Sequence, residues 1–212
     1  MQSYVIRPLT APLPPLQGVF DPGAEPFCRR PFAAIDRYNW GGAYRPEARA
    51  YAAWDGLDLA VLLCAREPEI SARVRAFDGE VYRDSCLECF LKPFEDDERY
   101  LNIEVNAAGA ALIGLGVGRE DRRRWTICPP GMDIRASRHE GGWWAVAYRV
   151  PDALIREAFG RSLAPGQAMR GNFYCCDETL HPHFGTWNPV EAPGPDFHRP
   201  ECFGLLTLGA QE

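Results

Sequence analysis

The stretch from Tyr82 to Gly109 limits what this chain can fold into more than any other part of it. It holds two alternating runs. In the second, Leu101, Ile103 and Val105 recur at every other position and Tyr100, Asn102, Glu104 and Asn106 fill the places between, the period of a half-buried β-strand. In the first, Leu87, Cys89 and Leu91 make an apolar face opposite Asp84, Cys86 and Glu88. The segment between them, Lys92 to Arg99, carries Pro93 and the acidic run Glu95-Asp96-Asp97-Glu98, so an antiparallel hairpin with a solvated loop is predicted. That pairing sets Glu88, Asn102, Glu104 and Asn106 side by side on one sheet face. Short carboxylates and amides grouped this way predict a binding surface, although alternation by itself also describes a face that meets only water.

The rest of the chain reads as further strands. Gly56 to Arg66 is a mostly apolar run bounded by turn residues, a buried strand. Ala110 to Gly118 is small and apolar with glycine at 114, 116 and 118; no helix-forming segment follows, which argues against a phosphate-cradling loop. Arg119 to Arg124 reads as a loop, Trp125 to Cys128 as a short strand ended by Pro129-Pro130-Gly131, and Trp143 to Val150 as a strand. Pro151 to Phe159 is the single convincing helix, with Pro and Asp at its start and Gly160 after it. Arg170 to Cys175 and Phe203 to Leu208 are strands, and residues 8 to 31 form a Pro-rich extended arm. With 212 residues and no repeat or linker, the expectation is one domain over 1–212, its Pro-rich arm at about 1–45. The fold class expected is all-β, a two-sheet antiparallel β-sandwich with one short helix.

Composition narrows the function. A net charge of -6 argues against a nucleic-acid partner, which needs a basic stripe for its phosphates. The N-terminal residues lack the pattern of a secretion signal and no apolar run reaches membrane-spanning length, so the cytoplasm is the expected location and no membrane partner is expected. Cys86 and Cys89 have Cys-x-x-Cys spacing, but residues three apart on a strand point to opposite faces, which argues against a shared structural zinc.

Three chemistries fit the candidate residues. A sugar presents C–H faces to aromatic rings and hydroxyls to fixed donors and acceptors. Glu88, Glu104, Asn106, Arg170 and Asn172 supply the polar groups, with Tyr82, Trp125, Tyr174 and Trp187 as flat faces. Glu88 and Glu104 on neighbouring strands would also suit the carboxylate pair of a glycoside hydrolase. His181-Pro182-His183 and His198 could ligate haem or a metal.

Five strings in order carry a resemblance. They are Asp84-Ser85-Cys86-Leu87-Glu88, Asn102-x-Glu104-x-Asn106-x-x-Gly109, Gly171-Asn172-Phe173-Tyr174, His183-x-x-x-Trp187-x-Pro189, and Pro195-Asp196-Phe197-His198-Arg199-Pro200-Glu201-x-Phe203-Gly204. Together, from about Leu57 to Leu208, they resemble the carbohydrate-binding module family 9-like proteins, which are related to the DOMON sandwiches that bind sugar or haem. The resemblance implies a non-catalytic sandwich that binds a small sugar or oligosaccharide, with a link to carbohydrate catabolism. It also implies an aromatic clamp beside a Glu, an Asn and an Arg, which by motif places the aromatics near Tyr82 and Trp187, the Glu at Glu88 and the amide near Asn172; Arg170 is the expected hydroxyl donor. The chain departs from the family in having Tyr82 where Trp is usual. No cofactor is expected apart from calcium, for which Asp96 and Asp97 are the candidate acids.

Overall fold

In the computed structural model, residues 1–13, 16 and 30–210 are described; the part of the Pro-rich arm at 14–15 and 17–29 lies outside them. The strands are β1 (Ser3–Pro8), β2 (Ala33–Ala34), β3 (Arg37–Gly41), β4 (Glu47–Trp54), β5 (Leu59–Arg66), β6 (Cys86–Lys92) and β7 (Tyr100–Asn106). They continue with β8 (Ala111–Gly116), β9 (Arg122–Arg124), β10 (Arg135–Arg138), β11 (Trp143–Val150), β12 (Ala168–Asp177), β13 (His183–Thr186) and β14 (Gly204–Leu208). The helix α1 (Asp152–Phe159) lies between β11 and β12, closed by Gly160 in the left-handed region at φ 77°.

Hydrogen bonding joins β10-β11-β5-β4 into one layer and β14-β12-β6-β7-β8-β9 into the other. The two are linked through β1, which pairs in parallel with β14 along Ser3–Ile6 and with β4 at Arg7–Pro8. Between the layers lies the main core, which includes Trp54, Trp144, Tyr148, Phe173, Leu87, Ile103 and Ile113. The remaining faces are also covered. Leu13 and Leu16 pack on the outer face of β4, β5 and β11. The segment from Val190 to Phe203 lies over the outer face of β12, β6, β7 and β8, against Cys86, Phe90, Tyr100 and Tyr174.

The central hairpin has the register that alternation predicts, with Cys86 opposite Asn106, Glu88 opposite Glu104 and Phe90 opposite Asn102. Cys86 and Cys89 point to opposite faces, one under the C-terminal segment and one into the main core. Two expectations are corrected. Arg122–Arg124 is not loop but strand β9, paired with Gly116, Leu115 and Gly114 of β8. Trp125 to Cys128 forms no strand, because after Trp125 donates to the Ile113 carbonyl at 3.0 Å the chain bends away toward Pro129. The glycines of β8 explain where β9 goes. A Cβ at Gly116 would stand 2.0 Å from the Asp121 carbonyl oxygen, and one at Gly114 would stand 3.2 Å from Cδ of Arg122. The bare backbone of β8 therefore lets the Arg122 side chain lie flat across the sheet toward β7.

Candidate ligand-binding site

A cavity of about 440 Å³ opens on the outer face of the β12-β6-β7-β8 layer. That volume falls within the range of small-molecule sites. Glu88 and Glu104 line its floor together with Cys176, and Arg119, Arg122 and Arg124 come from β9 and the turn before it. Tyr82 and Phe184 are aromatic walls, and Pro195, Phe197 and His198 of the covering segment close the remaining side. The polar face that alternation predicts is thus roofed rather than open to water.

The floor is electrostatically unusual. Glu88 and Glu104 are each only 2% exposed and stand directly across the β6–β7 ladder. Burial, and then the charge of Glu104, pushes the Glu88 carboxyl well above the usual carboxylate range. Burial pushes Glu104 up to about 7, against the opposing pull of Arg122 and Asn102. Two adjacent buried carboxyls cannot both ionise readily, so near neutral pH the pair holds a proton that exposed glutamates would have lost. Each has a fixed partner: the Cys176 thiol donates to Glu88 Oε1 at 3.2 Å, and Asn102 Nδ2 donates to Glu104 Oε1 at 2.8 Å.

Arg122 joins the floor to the roof. Its Nη1 lies 3.5 Å from Glu104 Oε1 and 3.0 Å from His198 Nε2. A guanidinium only donates, so His198 Nε2 accepts and the ring hydrogen sits on Nδ1, where it reaches the Tyr100 hydroxyl at 2.7 Å. The neutral state this requires is held by burial, with Arg122 and Arg119 adding to it, and the imidazole is lowered to about 3. His198 also packs on Phe90 at 4.9 Å between ring centroids. Arg119 pairs with Asp196 at 3.0 Å and Arg124 with Asp78, so the basic residues tie the covering segment and the preceding turn to the rim.

Of the residues singled out in the sequence, Tyr82, Glu88 and Glu104 line the cavity. Tyr174 lies under its roof, fully buried, stacked on Phe197 at 4.1 Å and donating to the Phe197 carbonyl. Asn106 is occupied as a turn clamp, its Oδ1 accepting from Ala108 and Ala110 and its Nδ2 donating to Asp84 and to the Val74 carbonyl. Asn172 is likewise buried and occupied, holding the backbone of Asn188 from both sides. Arg170 stands at the far end of β12, against Met1 and Glu95. Trp187 is placed in the main core against Phe173 and Tyr4, not on the cavity, because it shares the inward side with Gly185 and His183. Trp125 packs at the edge of that core under the Arg123 guanidinium.

Sequence reasoning did not place Arg119, Arg122, Glu178, Phe184 and Phe197 at the site, though all five line the cavity. Phe184 was findable by parity, since it alternates with His183 and Gly185 and so faces away from Trp187. His183 and His198 lie on opposite faces of the layer, one beside Cys175 and the other above Phe90, and so cannot grip a single group between them. Asp96 and Asp97 are paired with Arg161 and Arg99.

A sandwich with a roofed polar pocket on one outer face defines a ligand-binding module. The model of carbohydrate-binding family 9 matches residues 25–208, and the chain belongs to that family. Among solved structures it is similar to a candidate carbohydrate-binding protein from Bacteroides uniformis, at 29% identity and a TM-score of 0.77 over 98% of this chain and 99% of that one. A family 9 carbohydrate-binding module from Caldicellulosiruptor kristjanssonii is similar in fold both with glucose, at 14% identity and TM-score 0.66, and with cellotriose, at 12% and 0.65. Those alignments cover all of this chain and 97% and 95% of the other. No curated protein sequence matches the chain.

Proposed function

We propose that this protein binds a small carbohydrate, a monosaccharide or the end of a short oligosaccharide, in the cavity over Glu88 and Glu104. The observation that carries the reading is the paired buried carboxyls flanked by Arg122 and walled by Tyr82 and Phe184. Every sugar hydroxyl both donates and accepts. A carboxyl pair that retains a proton offers both functions side by side, Arg122 offers donors only, and the ring faces accept C–H bonds. The family 9 module with glucose or cellotriose bound lends the reading a ligand class.

The test is isothermal titration and thermal shift with glucose, cellobiose, cellotriose and a xylose series. One saturable site is expected, lost in Glu88→Ala and weakened about tenfold in Phe184→Ala. Absence of heat and of any melting shift with every sugar would overturn the proposal, as would binding that ignores both substitutions.

A further inference from the structure

On the inward side of β12, beneath the cavity floor, Glu67, Cys175 and His183 bring a carboxylate oxygen, a thiol sulfur and an imidazole nitrogen to within 4.8 Å of one another. All three are buried. The sugar site uses none of them. From this cluster we infer that the protein binds one zinc-class divalent cation through Glu67, Cys175 Sγ and His183 Nε2.

The imidazole is already set for ligation. His183 Nδ1 faces the His181 carbonyl at 2.7 Å, and a carbonyl only accepts, so the ring hydrogen is on Nδ1. The Nε2 lone pair is then directed at Cys175 Sγ, 3.5 Å away. A backbone carbonyl fixing the far nitrogen is the arrangement that orients metal-bound histidines. The spacing fits as well: with Zn–S near 2.3 Å and Zn–N near 2.0–2.1 Å at a tetrahedral angle, sulfur and nitrogen stand about 3.6 Å apart. The cation would enter where the thiol hydrogen now sits, with little movement of either ligand. The thiol proton leaves to water as the Zn–S bond forms.

Glu67 is held by two neutral groups, Trp144 Nε1 at 2.9 Å and Ser85 Oγ at 3.1 Å. The same Ser85 hydroxyl touches Asp177 Oδ2 at 3.0 Å, which puts a second buried carboxylate one atom away. An independent sign is Tyr44. Its hydroxyl is buried and has no hydrogen-bond partner among the described residues, while its ring lies 5.4 Å from that of His183 and 5.1 Å from that of His181. Burial, and then the nearby Glu67 and Cys175, raise that hydroxyl above its usual range, so it lies within electrostatic reach of the cluster. The ring is only half-buried, and the neighbouring Gly41–Ala43 turn is exposed. Thiolate, imidazole and carboxylate together favour zinc over calcium or magnesium, which take oxygen ligands. A second sulfur-containing cluster among the described residues, Cys86, Glu88 and Cys176, lacks imidazole and is already closed by the bond from Cys176 to Glu88.

Cobalt(II) titrated into the reduced, metal-stripped full chain tests this without reference to sugar. One equivalent is expected to give a thiolate-to-cobalt charge-transfer band and the strong visible bands of four-coordinate cobalt, both displaced by zinc. Cys175→Ser should abolish the charge-transfer band, and His183→Gln should weaken binding by more than about 100-fold, since loss of an outer-shell partner alone costs 10–100-fold. Tyr44→Phe should keep the charge-transfer band. Cys175 is buried, so far-ultraviolet circular dichroism is read first; if the variant does not fold, X-ray absorption of the wild-type cobalt complex must show one sulfur with nitrogen and oxygen neighbours. No charge-transfer band at any cobalt ratio, a sulfur-free or two-sulfur shell, or a band kept in Cys175→Ser but lost in Cys176→Ser would overturn the assignment.

Discussion

Glu104→Gln is the most informative single change, because it separates the charge of the cavity floor from its shape. The glutamine oxygen can still accept from Asn102 and face Arg122, so the neutral glutamate and the glutamine are near equivalents. What differs is pH. A carboxyl raised in the native state from its ordinary 4.5 to about 7 keeps a proton that the unfolded chain releases. Its contribution to stability is therefore fully present below 4.5 and is lost as pH rises through about 7. At about 1.4 kcal/mol per pH unit the loss is about 3 kcal/mol. Urea unfolding of both proteins between pH 4.5 and 8.5 should give curves that diverge with rising pH, the variant gaining about 3 kcal/mol on the wild type, or roughly 6–12 °C in melting temperature at this size. Glu88 remains raised by burial in the variant but no longer faces a second carboxyl, so the variant profile should also be shallower. Parallel profiles would refute the reasoning, for they would mean that Glu104 ionises normally in the folded protein.

Other expectations follow from the same geometry. His198 is lowered from 6.5 to about 3, so stability is lost as pH falls between those values, by about 5 kcal/mol; the acid limb of the unfolding profile should flatten by that amount in His198→Gln. Trp187→Ala should cost about 3–5 kcal/mol in denaturant unfolding, as an emptied core site does, whereas Tyr82→Ala should weaken sugar binding and leave the melting temperature within a few degrees. Asp84 is raised by burial but held below the usual carboxylate range by bonds from Ser71, Val74, Arg73 and Asn106; Asp84→Ala should cost about 3 kcal/mol or more and raise protease sensitivity around residues 71–74.

The strands that alternate or run apolar without interruption, β5, β6, β7, β11 and β14, were legible because a period of two survives any tertiary setting. Strands β1, β3, β4 and β13 were not. β4 reads Glu-Ala-Arg-Ala-Tyr-Ala-Ala-Trp, whose small side chains carry little hydrophobic contrast, and β13 holds a glycine where its register with β3 shifts. At the site, parity gave Glu88 and Glu104 their face, yet Asn106 shares that face and is consumed by a turn. Burial on one side of a sheet cannot say which residues a distant segment will cover. Residues 190–203 roof part of the face and leave the rest as a cavity, which is why the place of Arg122 on that cavity, and of His198 as its partner in the roof, emerged only with the fold. Trp187 shows the reverse error, where residue type suggested a stacking surface and strand parity turned it inward.

The position of β1 has a consequence for how the molecule is made. Ser3 to Ile6 find their partners on β14 at Leu205 to Leu208, and the neighbouring residues pair with β4 in the other layer. A ribosome delivers β14 only after the whole intervening stretch from β2 to β13 has followed β1. The β4–β5 and β6–β7–β8 hairpins can close as they appear, but the seam between the layers has to wait. Contacts so distant in sequence form slowly. Until then the edges of β4 and β12 stand open, and it is during that interval, more than in the finished fold, that this protein is exposed to mispairing with another nascent chain.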